Sequence, residues 1–212
     1  MALGAHIISN SYGCYKRCGF EKSHYDAPGV TYLAASGDWG YGAGEDGPSQ
    51  FDTVVATGGT ALYVDPKSKR GFREKAWFAA TSACTPDKKP SWQHDPGCSH
   101  RTSTDVSSLA DPTTGPAVYD TYGYGGWTIG GGTSASSPFL AGVFALAGNA
   151  TSQHGGQTFW QKGHEGANDL NRITAGANGA CDPAYLCTDG THEYRGYGGP
   201  TGWGTPNGVG AF

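Results

Sequence analysis

The chain has 212 residues, of which 37% are hydrophobic and 12% aromatic, so one domain with an apolar core is possible. A formal net charge of −4 provides no basic surface for nucleic acid. No apolar run reaches the about 18 residues that a membrane-spanning helix needs. We therefore expect a soluble protein with a single domain over residues 1–212, acting as a monomer with no nucleic-acid or membrane partner.

Three segments near the start of the chain are predicted to be buried strands. They read AHIISNSYG, GVTYLAASGDWG and FDTVVATGGTAL, at residues 5–13, 29–40 and 51–62. Each is a short apolar run closed by a polar, glycine-rich turn, which is typical of parallel strands covered on both faces. Because ligands bind at the carboxyl ends of such strands, we expect Ser11, Asp38 and the Gly58-Gly59 pair at that edge of the sheet.

Residues 63–128 are predicted to form further strands and loops, and a helix is predicted within GGGTSASSPFLAGVFALAGN, residues 130–149. Apolar side chains surround nearly the whole girth of this helix, which predicts that it is buried at the centre of the domain. The chain from residue 165 onward is expected to be glycine-rich loop. The fold class expected from these elements is α/β, with helices flanking a mostly parallel sheet.

The start of this helix carries a candidate nucleophile, Ser134. Glycines before a serine let the backbone turn sharply and leave room for a substrate carbonyl beside the hydroxyl. A helix N-terminus adds free N–H groups and a positive dipole end, which stabilise a developing oxyanion. A Gly-Thr-Ser sequence at a helix start is equally typical of a plain N-cap, so the residues alone leave both interpretations open.

The six cysteines lie in pairs that are close in sequence, and no CxxC motif is present. An even count in glycine-rich, loop-rich surroundings favours disulfides and an oxidising compartment, with free buried thiols as the alternative. The expected pairs are Cys14–Cys18, Cys84–Cys98 and Cys181–Cys187. The start MALGAHII is no secretory signal, so we expect the N-terminal part of a secreted protein to lie outside this chain.

Seven segments along nearly the whole chain resemble, in the same order, segments of the sedolisin family of serine-carboxyl peptidases, a branch of the subtilisin clan. They read ISNSYG, AASGDWGYG, VVATGGTAL, KPSWQ, DVSSLADPTTG, GGTSASSP and GPTGWGTPNG. None of the seven histidines has the His-Gly-Thr setting of the subtilisins proper. The resemblance implies a subtilisin-like fold and a secreted serine-type endopeptidase that hydrolyses peptide bonds at acidic pH.

The resemblance assigns roles to individual residues of this chain. Ser134 matches the family's nucleophile, and Asp38 in SGDWG matches the aspartate of the oxyanion hole. A carboxylate would repel an oxyanion, so Asp38 can contribute only when it is protonated and donates a hydrogen bond. Gly131, Gly132 and Thr133 are expected to border the bound substrate. Asp38 as a plain turn residue is the alternative, and Asp105 is expected to be structural.

The family's general base is absent from this sequence. That base is a glutamate with an aspartate four residues later on the same helix, which precedes the strand that AHIISNSYG resembles. We therefore expect a fold that lacks the family's N-terminal strands and its Glu/Asp helix, and a chain that is inactive and unstable by itself. The only Glu-x-x-x-Asp here is Glu165 to Asp169, which we expect to be a solvated turn.

The family's calcium loop is also altered, so no cofactor is assigned to this chain. The matching stretches read RITAG and GYGGPTG, in which Arg172 and Gly198 replace two aspartates. Calcium prefers several anionic oxygens, so an arginine opposes the ion. The hypothesis is that Arg172 itself supplies the positive charge, although Asp169 and Asp189 leave weak binding open. Two further interpretations of the whole chain remain: an inactive homologue that binds peptides or a partner, and a structural secreted module.

Overall fold

The computed structural model describes residues 4–14, 18–42, 47–166 and 168–212. Within them the strands and α-helices are, in chain order, β1 (Ile7–Asn10), β2 (Thr31–Ala35), β3 (Val54–Val64), β4 (Phe72–Ala76), β5 (Ala83–Lys88), β6 (His100–Ser103), β7 (Val106–Leu109), β8 (Ala117–Asp120), β9 (Gly126–Ile129), α1 (Thr133–Ala147), α2 (Gln157–Glu165), β10 (Leu170–Asn171) and β11 (Thr205–Pro206). Short 3-10 helices lie at Lys22–Tyr25, Pro48–Gln50, Ala150–Ser152 and Ala184–Leu186.

The main sheet is mostly parallel, as the sequence predicts. β1 pairs in parallel with β2, and β2 with the first part of β3. β7 adds a further parallel strand along β3, and β4 pairs antiparallel with the second part of β3. The parallel strands are built from apolar and small residues, and the side chains of Leu33, Val55 and Val106 are completely buried. The predicted fold class is confirmed.

One detail of the predicted sheet is wrong. Gly58 and Gly59 lie inside β3, which continues to Val64, and not at its carboxyl end. The two glycines are needed for close packing, because a Cβ at Gly58 would collide with the carbonyl oxygen of Pro200 and one at Gly59 would lie 2.5 Å from Ala110 Cβ. A double glycine in this strand therefore marks a close approach of neighbouring backbone.

Helix α1 covers one face of the sheet with only part of its surface. Leu140 and Phe144 are fully buried, and the Phe144 ring meets Phe212 edge-on at 5.2 Å between centroids. Phe139 and Leu146 are 57% and 80% exposed. The prediction of a helix buried all round is wrong, because the described residues cover only the face turned toward the sheet.

The three disulfides are those expected from the sequence, with Cα–Cα distances of 6.3, 5.6 and 6.0 Å for Cys14–Cys18, Cys84–Cys98 and Cys181–Cys187. They span 4, 14 and 6 residues of sequence, so each closes a local loop. Among the described residues no cysteine is free. None of the helices in the described ranges is both long and apolar enough to cross a membrane.

Asp105 lies in the core, as expected for a structural residue. It forms a completely buried ion pair with Arg101, 2.6 Å between Oδ2 and Nη2. The same carboxylate accepts hydrogen bonds from the Ala56 backbone N–H and from Trp160 Nε1. Burial lowers the pKa of Arg101, but the charge of Asp105 more than offsets this, so the pKa stays above its ordinary value. The carboxylate therefore joins β3, β7 and α2.

Candidate active site

The start of α1 lies against the loop that follows β2. Gly132 is the N-cap residue, with φ of 79°, and it offers no side chain to the helix. The cap is provided from a distance by Asp38, whose Oδ1 accepts hydrogen bonds from Thr133 N at 2.7 Å and Thr133 Oγ1 at 2.9 Å. Asp38 is therefore more than a turn residue: its carboxylate is fixed at the positive end of α1.

Gly131 and Gly132 permit this close contact. A Cβ at Gly132 would lie 2.5 Å from Asp38 Oδ2, and its left-handed backbone is strained for any other residue. A Cβ at Gly131 would lie 2.6 Å from Pro112 Cβ. The Gly132 N–H donates to the Ala110 carbonyl at 2.7 Å. The backbone N–H groups of Gly132 and Thr133 thus donate hydrogen bonds within the protein. The main effect of Gly131 and Gly132 is to leave space for Pro112 and for the Asp38 carboxylate.

Most hydroxyl groups at the start of α1 anchor the helix to the sheet. Ser136 Oγ accepts a hydrogen bond from the backbone N–H of Ser108 in β7, at 2.9 Å. Ser137 Oγ bonds Ser9 Oγ on β1 at 2.8 Å. Thr133 Oγ1 bonds the backbone of the loop after β2. These three residues are completely buried, so their hydroxyls are occupied by the structure.

Ser134 differs from these neighbours in every respect. It is exposed, and no hydrogen-bond partner for its hydroxyl lies in the described part of the chain. As the second residue of α1 its N–H has no acceptor within the helix. Ser134 is also not the helix cap, since that position belongs to Gly132. The plain N-cap interpretation of Gly-Thr-Ser is therefore wrong, and Ser134 presents a free hydroxyl and a free N–H directly after Thr133, the residue that bonds Asp38.

The described residues place no general base next to this hydroxyl. Glu165 and Asp169 cannot form a carboxylate pair on one helix, because α2 ends at Glu165 and Gly166 follows in a left-handed conformation. Glu165 is exposed, and Asp169 pairs with Lys162 at 3.1 Å. The expectation of a solvated turn agrees with this geometry. The described residues therefore place an exposed serine at the start of α1, with no Glu/Asp pair on a helix beside it.

Solved structures of other proteins identify the fold. The chain is similar to Pseudomonas sedolisin, a serine-carboxyl proteinase complexed with two molecules of pseudo-iodotyrostatin, with a TM-score of 0.72 and 24% identity. It is also similar to sphericase, with a TM-score of 0.59 and 18% identity, and to the S41 psychrophilic protease, with 0.57 and 19%. No family model and no curated protein matches the sequence.

The fold is that of the subtilisin-like proteases. The three alignments cover 97%, 97% and 94% of this chain. They cover 63%, 58% and 56% of those structures, in the same order. The chain therefore spans less than two thirds of the length of each of these proteins.

The calcium loop of the sedolisin resemblance does not fit a metal in this chain. Arg172 directs its guanidinium at two backbone carbonyls, those of Gly163 and Arg195. Gly198 offers no side chain, and a Cβ there would collide with Asp189 Oδ1. Within the described ranges no group of three His, Cys, Asp or Glu residues is arranged to hold a metal ion. A positive charge and a missing ligand replace the two carboxylates that calcium would need.

Sequence reasoning missed the anchoring roles of Thr133, Ser136 and Ser137. The signal for them is weak, because a small polar residue at a helix start suits a cap, a nucleophile or an anchor equally well. It also missed the exposed apolar surface of α1, since an all-apolar helix gives no indication of which face lacks a partner. Ser134, Pro138, Gly142 and Leu146, spaced four residues apart, are all exposed on this surface.

Proposed function

We propose that this chain carries the nucleophile and the oxyanion-binding groups of a serine-type endopeptidase of the sedolisin kind. The observation that supports this most is the contrast at the start of α1. Thr133, Ser136 and Ser137 are buried and hydrogen-bonded, whereas Ser134 is exposed, free and adjacent to the helix N-terminus that Asp38 caps. A serine retained only for helix stability would be bonded as its neighbours are.

The proposed reaction is acyl transfer. Ser134 Oγ attacks the carbonyl carbon of a peptide bond as its proton passes to a carboxylate base. The oxyanion accepts hydrogen bonds from the Ser134 N–H and from protonated Asp38, whose Oδ2 is not used in capping α1. Collapse expels the amine, which takes the proton from the base, and a water molecule then hydrolyses the ester of Ser134. Gly131, Gly132 and Thr133 border the site.

The role of Asp38 links this reaction to acidic conditions. An ionised carboxylate next to the oxyanion would raise the barrier, while a protonated one donates a hydrogen bond and lowers it. Thr133 keeps the Asp38 carboxyl in place by donating twice to Oδ1, which leaves Oδ2 to carry the proton. Activity is therefore expected to rise as pH falls until the base is also protonated.

The base is assigned to a glutamate on a segment outside the described residues, which packs on the exposed surface of α1. Ser134 begins the stripe that continues through Pro138, Gly142 and Leu146, so a segment covering this stripe passes beside the nucleophile. Among the described strands β1 pairs with β2 alone, and its other edge is open to a further strand. More than a third of the sedolisin structure has no counterpart in this chain.

The expected partner is a protein or peptide substrate, and the expected location is extracellular. Three disulfides support an oxidising compartment. A second candidate function, an inactive homologue that binds peptides without cutting them, is favoured by one observation: no base accompanies Ser134 among the described residues. The two candidates differ in whether the complete protein hydrolyses a peptide bond.

Casein cleavage at about pH 4 separates these functions. The protein is assayed as its gene encodes it, with the 212 residues alone in parallel. We expect cleavage by the complete protein, loss of cleavage by at least about a thousandfold in Ser134→Ala, and little activity of the 212 residues alone. Ser137→Ala is the matched control, because it removes a hydroxyl from the same helix turn that only anchors β1. Equal rates for wild type and Ser134→Ala would remove Ser134 from the reaction, and an inactive complete protein would favour the binding function.

A further inference from the structure

Arg172 connects three parts of the C-terminal region. It directly follows β10, and its Nη2 donates to the carbonyl of Gly163 in the last turn of α2 at 2.9 Å. Its Nη1 donates to the carbonyl of Arg195 in the loop that precedes β11. The guanidinium carbon lies 6.0 Å from the centre of the fully buried Trp203 ring. One side chain therefore joins a helix end, a strand and a loop.

The backbone of the loop is adapted to this guanidinium. Gly196 has φ of +84°, and a Cβ at this position would collide with Arg172 Nη1. Arg195 also adopts a left-handed conformation, with φ of 47°, which is uncommon for a residue other than glycine. Gly196 adopts this conformation without strain, whereas the left-handed backbone of Arg195 is strained and is held in place by the contact of its carbonyl with Arg172.

Two backbone carbonyls contact Arg172, but the carboxylates that calcium needs beside such carbonyls are too few. Gly198 contributes none. Asp189 Oδ1 accepts a hydrogen bond from Thr201 Oγ1 at 2.7 Å, so the buried Oδ2 of Asp189, which has no partner among the described residues, is a single carboxylate oxygen. A guanidinium and a divalent cation have the same need for carbonyl oxygens, and both cannot occupy this place. The contacts of Arg172 are therefore those of a cation fixed to the chain.

We infer that Arg172 is an internal replacement for a bound cation, and that it makes the folding of the C-terminal region independent of calcium. A guanidinium stays charged at every pH that a protein experiences. A carboxylate site, in contrast, loses its metal as its ligands are protonated. The Arg172 contacts thus persist in acid, which is an advantage for the proposed function but does not depend on it.

Thermal melting tests this inference without any activity assay. The wild type is melted at neutral pH with excess calcium and with excess EDTA, and we expect the same Tm in both. Arg172→Gln removes the charge and one of the two donor contacts, so its Tm is expected to fall by roughly 5 °C. Arg195→Gln is the matched control: it removes an exposed guanidinium that contacts His164 and leaves the Arg195 carbonyl in place. Its Tm is expected to change by less than about 1 °C.

Two results would overturn the inference. One is a clear rise in wild-type Tm with calcium that EDTA reverses, because the region would then still bind the ion. The other is an Arg172→Gln variant that melts with the wild type. If Arg172→Gln does not fold at all, Arg172→Lys keeps a charge with a single donor centre and is expected to fold with a lowered Tm that calcium leaves unchanged.

Discussion

Alanine substitutions at Ser134 and Ser136 should have opposite effects, although the two serines lie two residues apart on α1. Ser136→Ala leaves the Ser108 N–H without its acceptor, in a place where Ser136 is completely buried. An unsatisfied buried donor costs about 1–3 kcal/mol. The better helix propensity of alanine offsets roughly 0.5 kcal/mol of this. The net loss of unfolding free energy is therefore about 0.5–2.5 kcal/mol.

Ser134→Ala removes no hydrogen bond that the described residues make. The exposed site gains only helix propensity, so the free energy of unfolding should stay equal or rise by up to about 0.5 kcal/mol. Urea unfolding of both variants measures these changes, with an unchanged m value as evidence that the folded and unfolded states remain comparable. In the cleavage assay the order reverses, and Ser134→Ala alone abolishes activity.

Either of two results would refute this assignment. A loss of more than about 1 kcal/mol in Ser134→Ala would mean that Ser134 is a structural residue with an unrecognised partner. An unchanged Ser136→Ala would mean that its buried hydrogen bond to β7 is absent in solution. In either case Thr133, Ser136 and Ser137 could no longer be distinguished as anchoring residues from Ser134 as a residue with a free hydroxyl.

Three further predictions concern neighbouring features. Burial raises the pKa of Asp189 to about 8, so the folded chain keeps a proton that the unfolded chain releases above about pH 4. The contribution of Asp189 to the free energy of unfolding is therefore fully present below about pH 4 and is lost as the pH rises toward 8. Asp189→Asn should flatten this pH dependence, measured by urea unfolding at several pH values. Gly132→Ala should displace the Asp38 carboxyl and lower both stability and activity. In the control Gly142→Ala nothing lies within 4 Å of the added Cβ, so this variant should raise the unfolding free energy by about 0.5–1 kcal/mol. A Gly132→Ala variant as stable and active as the wild type would contradict the site geometry. Leu146→Lys should reduce self-association of the 212-residue chain, measured by light scattering, because it places a charge on the exposed apolar surface of α1. Unchanged self-association would mean that a different surface of the chain mediates it.

The sequence predicts the sheet well because its strands have a simple pattern. The apolar runs before Ser11 and Asp38 become β1 and β2, and the parallel pairing follows from runs without polar alternation. The disulfide pairs are also predictable, because partners close in sequence leave little choice. Gly58 and Gly59 are different: glycines that end a strand and glycines that allow close packing look alike until the packing partner is known.

The candidate site is only half predictable for a physical reason. Asp38 and Ser134 belong to recognisable strings, and the structure brings them together at one helix end through Thr133. Which hydroxyl is free and which is buried depends on the register of α1 against β1 and β7, and no local pattern encodes that register. The exposure of Phe139 and Leu146 likewise depends on what lies over the helix, which is a property of tertiary structure.

The measurement that tests the central claim most directly is acid cleavage of casein by the complete protein and its Ser134→Ala variant, with folding monitored in both. We predict cleavage by the wild type, no cleavage by a Ser134→Ala variant that melts at the same temperature, and retained cleavage by Ser137→Ala. Cleavage that survives Ser134→Ala would contradict it, and so would a well-folded complete protein that cleaves nothing between about pH 3 and 5.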